Sequence, residues 1–143
     1  MTAMSNYLES QVIQHIFRTS SYTKPSQIGI ALCTVAPADT DTGTLTGKEV
    51  SNAGSYARVA VAPSDSNWNN VTGGNGTTSN ASAITFTAAS ADWGTVTHVA
   101  ICDNVTYGAG NLLFWGSLTG SKVVNNGDTF QFSSSQLSVQ VDD

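Results

Sequence analysis

Residues 95–102 of the chain, Thr-Val-Thr-His-Val-Ala-Ile-Cys, decide its fold class. This stretch is rich in β-branched residues and apolar on both faces of an extended chain, which is typical of an internal strand of a sheet. A turn-like segment rich in Asn, Tyr and Gly follows over residues 103–110. Residues 112–118, Leu-Leu-Phe-Trp-Gly-Ser-Leu, then give a second strand-like run. The two runs are predicted to pair as a β-hairpin.

Period-two patterns continue on both sides of this hairpin. Residues 28–35 predict a strand that has Ile28, Ile30 and Leu32 on one face. Further strands are predicted over residues 56–61, 83–87, 122–124, 129–132 and 136–141. The tripeptide Asn125-Asn126-Gly127 is a hairpin signal, because such a turn needs positive φ at its centre.

Seven to nine short strands without a second helix indicate an all-β fold, a β-sandwich or jelly roll with one short N-terminal α-helix. At 143 residues the chain suits a single globular unit, with a helical segment over residues 1–20 and the β-domain over 21–143. Residues 64–80 are predicted to be a long polar loop without regular structure, of the kind that is usually functional or mobile.

The predicted helix carries an apolar stripe. Leu8, Val12 and Ile16 recur every four residues, with Tyr7, Ile13 and Phe17 beside them. Asn6 with Glu9 fits a capping box at the helix N-terminus, and Ser5 is the competing N-cap. The stripe must be buried against this chain's own sheet, a symmetry mate or a partner protein. Candidate partner-binding residues are therefore Tyr7, Leu8, Val12 and Ile16.

The charge composition excludes several classes of partner. Only 10% of the residues are charged, against about 25% in average soluble proteins, and the formal net charge is −5. Five basic residues are too few to follow a phosphate backbone, so neither nucleic acid nor an anionic membrane is expected as a partner. The first residues lack a basic region followed by an apolar run, so no secretory signal is expected.

No motif predicts catalysis, a cofactor or a metal site. His15 and His98 have no Cys, Asp or His at metal-ligand spacing. The pattern Asp39-x-Asp41-x-Gly43 resembles the start of a calcium loop, but the later Glu is missing, which favours a plain Asx turn.

The cysteines and tryptophans are mostly assigned to the core. Cys33 and Cys102 each lie in an apolar strand-like run and are predicted to be buried free thiols. Trp93 and Trp115 are predicted to pack in the core. Trp68 lies in the polar loop and has two interpretations. In the first, it binds a partner, as an interface anchor or as a platform on which a sugar stacks. In the second, it folds back onto its own sheet.

Several stretches resemble a family of small structural proteins of tailed bacteriophages, whose members are labelled tail-fibre-like or head-decoration proteins. They are residues 91–103, 110–118 and 22–25, and the element Gly54-Ser-Tyr-Ala-Arg58, which is similar to a Gly-x-Tyr-Ala-Arg element of that family. The resemblance covers most of the chain. It implies a location in the virion after assembly in the host cytoplasm, and it suggests no catalytic residues.

Two functions are compatible with this resemblance. The first hypothesis is a capsid decoration (cement) protein that braces the phage head shell as a homotrimer bound to the major capsid protein. The alternative is a tail or head fibre component that binds host surface glycans through Trp68 and its loop. A polysaccharide hydrolase ranks far below both, because the sequence shows no credible acid pair or catalytic triad.

Overall fold

The computed structural model describes residues 3–74 and 76–141, which form nine strands and one helix. The elements are β1 (Ala3–Met4), α1 (Asn6–Phe17), β2 (Ile28–Cys33), β3 (Val59–Val61), β4 (Thr77–Ser79), β5 (Ile84–Thr85), β6 (Gly94–Cys102), β7 (Leu112–Val124), β8 (Gln131–Phe132) and β9 (Ser138–Gln140). All strand pairs are antiparallel. The predicted fold class, all-β with one short helix, is confirmed.

The centre of the fold is a five-stranded sheet in the order β1-β7-β6-β2-β3. The predicted hairpin is present as the β6–β7 pair, and β6 also pairs with β2, where Val99 lies opposite Leu32. A bulge between Val96 and His98 of β6 shifts the alternation of side chains by one residue. Val96 and Val99 therefore reach the same apolar core although an odd number of steps separates them.

Two predictions about the end of this hairpin are wrong. The separate strand expected at residues 122–124 is the last part of β7, which pairs with β6 through Val124 and Gly94. The turn at Asn125-Asn126-Gly127 does form, and Gly127 has a φ of 91°. It does not close a hairpin, however, because β8 pairs with β5 and not with β7.

Two short ribbons, β4–β9 and β5–β8, form the second layer. Their apolar residues pack on the face of the sheet that carries Ile30 and Leu32, as the sequence predicts for that face. The core between the layers includes Phe86, Phe130, Phe132, Leu137 and Val139. The jelly roll is not confirmed, because the strands divide into one five-stranded sheet and two two-stranded ribbons. The opposite face of the sheet carries a smaller core, which includes Ala31, Ala100 and Leu45.

The segment from residue 64 to 80 is more ordered than its composition predicts. It contains β4, and isolated bridges pair Trp68 with Asn80 and Thr72 with Thr77. The expectation of a structureless loop is therefore wrong for its described residues, and residue 75 lies outside them.

The N-terminal helix is fixed to the main sheet at its start. Its N-cap is Ser5, whose hydroxyl accepts a hydrogen bond from the Leu8 N–H at 3.3 Å, so the capping box centred on Asn6 is not formed. The Ser5 N–H donates to the Leu113 carbonyl at 2.9 Å, and its hydroxyl also donates to the Leu112 carbonyl. Residue Ser5 is fully buried. Ser5 is thus both the cap of α1 and its attachment to β7.

Candidate functional site

The helix α1 presents an apolar surface to solvent. Val12 is 37% exposed, and the exposed fraction rises towards the helix end, to 55% for Ile13, 62% for Ile16 and 74% for Phe17. Exposed apolar side chains on adjacent turns mark interaction surfaces in many proteins. We call these four residues the outer face of α1.

The predicted partner-binding residues of the helix therefore fall into two groups, one inside the chain and one exposed to solvent. Leu8 is 7% exposed and belongs to the interior of this chain. Tyr7 is half-buried, while Val12 and Ile16 lie on the outer face. Sequence analysis did not include Ile13 and Phe17 in the stripe. Their side chains were noted only as neighbours of it, since a four-residue period follows one line along the helix.

A buried ion pair between Glu49 and Arg58 joins several loops. Arg58 donates to both carboxylate oxygens of Glu49, from Nε at 2.9 Å and from Nη2 at 2.7 Å. Its remaining N–H groups donate to the backbone carbonyls of Gly43, Asn104 and Ala109. All five guanidinium donors are thus satisfied. Both side chains are 0% exposed, so no substrate reaches this pair and its role is structural.

Tyr56 connects this ion pair to the sheet. Its hydroxyl donates to Glu49 Oε1 at 2.9 Å and accepts from the Leu32 N–H at 2.9 Å. Burial, together with the nearby Glu49 carboxylate, raises the pKa of Tyr56, so the phenol remains a protonated donor. Glu49, Tyr56 and Arg58 therefore form one network, which we call the Glu49 network.

The element Gly54-Ser-Tyr-Ala-Arg58 is the turn that positions this network. Gly54 has a φ of 59°, and a Cβ there would lie 2.9 Å from the Ala91 side chain. Its carbonyl accepts a hydrogen bond from Trp93 Nε1 at 2.8 Å. The sequence alone singles out this element, but Glu49, the ion-pair partner of its Arg58, lies outside it. No pattern in the sequence singles out Glu49. The available signal was an arginine flanked by Ala57 and Val59 in an apolar run.

Trp68 forms part of the wall of a cavity of about 440 Å³. The cavity lies where the ribbon β4–β9 meets the main sheet, and Ile28, Ile101 and Phe114 belong to its lining. Trp68 is partly buried against the main core, and its Nε1–H is buried without a hydrogen-bond partner among the described residues. The indole thus folds back onto the sheet, as one of the two interpretations of Trp68 predicts, and it also lines a cavity.

Sequence analysis missed Asn80, which joins the two ribbons of the second layer to each other. It is 0% exposed. Its Nδ2 donates to the carbonyls of Ser82 at 2.7 Å and Ser133 at 2.9 Å, and its Oδ1 accepts from the Leu137 N–H at 2.8 Å. No local pattern distinguishes Asn80 from the other asparagines of this polar segment.

The prediction of buried free thiols is confirmed for Cys33 and Cys102. They lie on neighbouring strands, but Cys33 is opposite His98 and Cys102 is opposite Gly29. This offset of four residues places them about 13 Å apart along the strands, too far for a disulfide. Burial raises the pKa of both thiols, that of Cys102 to about 12.

We expect neither thiol to react with a thiol reagent such as dithionitrobenzoate at pH 8, because only the exposed thiolate is nucleophilic. The same protein in denaturant should release two equivalents of the chromophore. Rapid stoichiometric labelling of the native protein would contradict the burial of these side chains.

The remaining ionisable residues discussed above have local partners. Asp41 forms an ion pair with Lys48 and accepts from the Ala38 N–H at 2.7 Å, while Asp39 accepts from Trp115 Nε1 at 2.9 Å. His98 Nδ1 lies 2.8 Å from the Thr97 hydroxyl. Residues 3–74 and 76–141 contain no group of three or more His, Cys, Asp or Glu arranged to hold a metal ion. Over the same ranges, no helix has the length and hydropathy to cross a membrane.

A family model described as Gp80, podophage GP4 fiber I protein gp80, matches residues 3–140 of the chain. The matched range includes α1 and all the strands described above. None of the curated proteins matches the chain.

Proposed function

The chain belongs to the family of the podophage GP4 fiber I protein gp80, and we propose that it is a fibre subunit that assembles with copies of itself through the outer face of α1. Membership of this family makes the chain a structural protein of a tailed-phage virion. The finer assignment, a fibre subunit with a self-associating helix, is supported by the description of the family and by the exposure of the helix.

The exposed apolar residues of α1 are the observation on which this proposal depends. Phe17 is 74% and Ile16 is 62% exposed, although both lie on a helix whose start is bound to the main sheet. In an oligomer with rotational symmetry, every subunit buries the same patch. A short helix at the axis therefore contributes buried apolar area from each copy. A homotrimer around α1 is the arrangement that we propose.

Replacing Ile16 and Phe17 together with aspartate is expected to abolish self-association, because it places carboxylates in an apolar contact. The molar mass in solution, measured by light scattering after size exclusion, should fall from that of an oligomer to that of one chain. The melting temperature should stay close to that of the dissociated wild-type chain, since both side chains are exposed in the single chain.

Val123→Asp is the matched control. Val123 is 55% exposed and lies on β7, away from the helix, so this variant should retain the oligomer. Leu8→Asp should instead unfold the chain, because Leu8 is buried in its interior. A wild-type chain that is monomeric at high concentration, or a double variant that keeps its oligomer, would refute the proposal.

A capsid decoration protein is the second candidate function. The short strands and ribbons form a compact knob and not a repetitive shaft, which also suits a protein that braces capsomers of the major capsid protein. Imaging of intact virions separates the two candidates. Density for this fold in an appendage supports the fibre subunit, whereas density on the outer head shell supports decoration.

A further inference from the structure

We propose that the outer face of α1 on one copy docks into the apolar cavity beside Trp68 on the next copy, an inference that rests on the self-association proposed above. The cavity has a volume of about 440 Å³ and lies where the ribbon β4–β9 meets the main sheet. In a ring of three copies, each contact joins two different surfaces, one from each neighbour. The cavity supplies a surface that complements the end of the helix.

The end of α1 protrudes from its own copy. Leu8 is the one buried residue of this helix, all of which lies within the described residues. Phe17 is the last residue of α1 and is 74% exposed, so it does not fill the cavity of its own copy. Ile16 beside it is 62% exposed. The helix therefore ends in two large apolar side chains that face mostly solvent, and docking would remove their apolar area from water.

The cavity offers an apolar recess for such side chains. Apolar residues form most of its wall, among them Ile28, Ile101, Leu113 and Phe114. Val71 also belongs to the lining and is 70% exposed, which places it at the mouth. In other proteins a cavity of about 150 Å³ already accepts benzene. A cavity of about 440 Å³ therefore has room for the ring of Phe17 together with the side chain of Ile16.

The charges beside the two surfaces are opposite in sign. Arg18 follows Phe17 directly and is exposed, while Asp65 lies on the lining of the cavity and is also exposed. Neither side chain takes part in an ion pair among the described residues. Lys24 lies near the same rim, but its Nζ donates to the Pro63 carbonyl at 3.5 Å. Docking of the helix end brings Arg18 towards Asp65, which orients the contact although an exposed pair adds little affinity.

The loop that forms one wall of the cavity is held in place before any neighbour docks. The Trp68 N–H donates to the Ser64 carbonyl at 3.1 Å, and the Asn69 N–H donates to the Ser79 carbonyl at 2.8 Å. Such a surface loses little conformational entropy on docking. The entropic cost of the contact therefore falls mainly on the side chains at the end of the helix.

Two variants that each damage one half of the contact test this inference. The helix variant is Ile16→Asp with Phe17→Asp, and the cavity variant is Val71→Lys, which places a cation at the mouth without disturbing the core. Each alone is expected to lower the association constant about tenfold or more, so that light scattering after size exclusion detects single chains. An equimolar mixture should form a heterodimer, because the intact helix of the cavity variant meets the intact cavity of the helix variant.

Controls separate this contact from general effects of charge. Val123→Lys is the match for Val71→Lys, because Val123 is an exposed valine of β7 that does not line the cavity, and it should leave the association constant unchanged. Arg18→Asp or Asp65→Arg alone should weaken association up to about fivefold, and less at high salt. Both changes in one chain should restore it, because the pair is then reversed in sign.

Three outcomes would overturn the inference and leave the proposed fibre assembly standing. The first is a cavity variant that keeps the wild-type oligomer while the helix variant dissociates, which would mean that the helices pack on one another. The second is a mixture of the two variants that stays monomeric. The third is a double charge reversal that associates no better than either single reversal. A monomeric wild-type chain would instead overturn the assembly itself.

Discussion

Arg58→Met is expected to lower the free energy of unfolding by about 3–5 kcal/mol, because it leaves the Glu49 carboxylate buried without its cation. Arg58 makes a bidentate pair with Glu49 and donates to three backbone carbonyls, so its loss also leaves these carbonyls without donors. Urea denaturation followed by tryptophan fluorescence measures the effect. A loss below about 1 kcal/mol would mean that water or another side chain replaces the guanidinium.

Lys48→Met provides the comparison for this prediction. Lys48 also forms an ion pair, with Asp41, but both side chains are partly exposed to solvent. Exposed pairs contribute about 0–1 kcal/mol, so this variant should remain close to the wild type in stability. The double variant Glu49→Leu with Arg58→Met should lose less stability than the sum of the two single changes, since neither charge is then left unpaired.

Asn80→Asp is expected to lower the free energy of unfolding by about 3 kcal/mol at pH 7, although the two side chains have nearly the same shape. The substitution removes the donor to the carbonyls of Ser82 and Ser133 and sets a carboxylate oxygen against both. Asn80 also accepts from the Leu137 N–H, and that bond is retained. The loss should therefore arise on the side of the lost amide, from the two missing donors and from the carboxylate that faces the carbonyls in their place.

The pH dependence of the stability of Asn80→Asp tests whether the buried carboxylate contributes to the loss. Burial beside two carbonyls raises the pKa of the new carboxyl above the value of about 3.9 in the unfolded chain. The folded state then binds the proton more tightly, so the destabilisation is complete above the raised pKa and shrinks as the pH falls towards about 4.

Asn69→Asp is the matched control. Asn69 is exposed and donates to side-chain hydroxyls, and its replacement should cost less than about 0.5 kcal/mol. Equal losses in the two variants, at all pH values, would contradict this account.

The Glu49 network also changes how the resemblance to phage proteins is interpreted. Tyr56 and Arg58, the side chains of the Gly-x-Tyr-Ala-Arg element, both bind Glu49 in the interior. The side chains of Tyr56 and Arg58 therefore serve to fix a turn and an ion pair inside the chain. The exposed candidates, the outer face of α1 and the cavity at Trp68, lie in other parts of the chain.

The fold class was predictable from local patterns. The alternation that placed Ile28, Ile30 and Leu32 on one face is confirmed, as is the hairpin of β6 and β7. Such patterns report which side of a strand is apolar. They do not report which strand lies beside it, and for this reason residues 122–124 were assigned to a separate strand and the Asn125-Asn126-Gly127 turn to a hairpin that does not form.

By itself, the sequence determined the all-β class, the position of the helix and the burial of Cys33 and Cys102, because hydrophobic period and length are local properties of the chain. Only the tertiary structure decided which residues meet: Arg58 with Glu49, Asn80 with Ser133, and Trp68 with Phe114 at the cavity. It also decided that Leu8 is buried while Ile16 is exposed on the same helix. These contacts join residues that are distant in the chain, and their partners follow from strand order and register, which no local pattern contains.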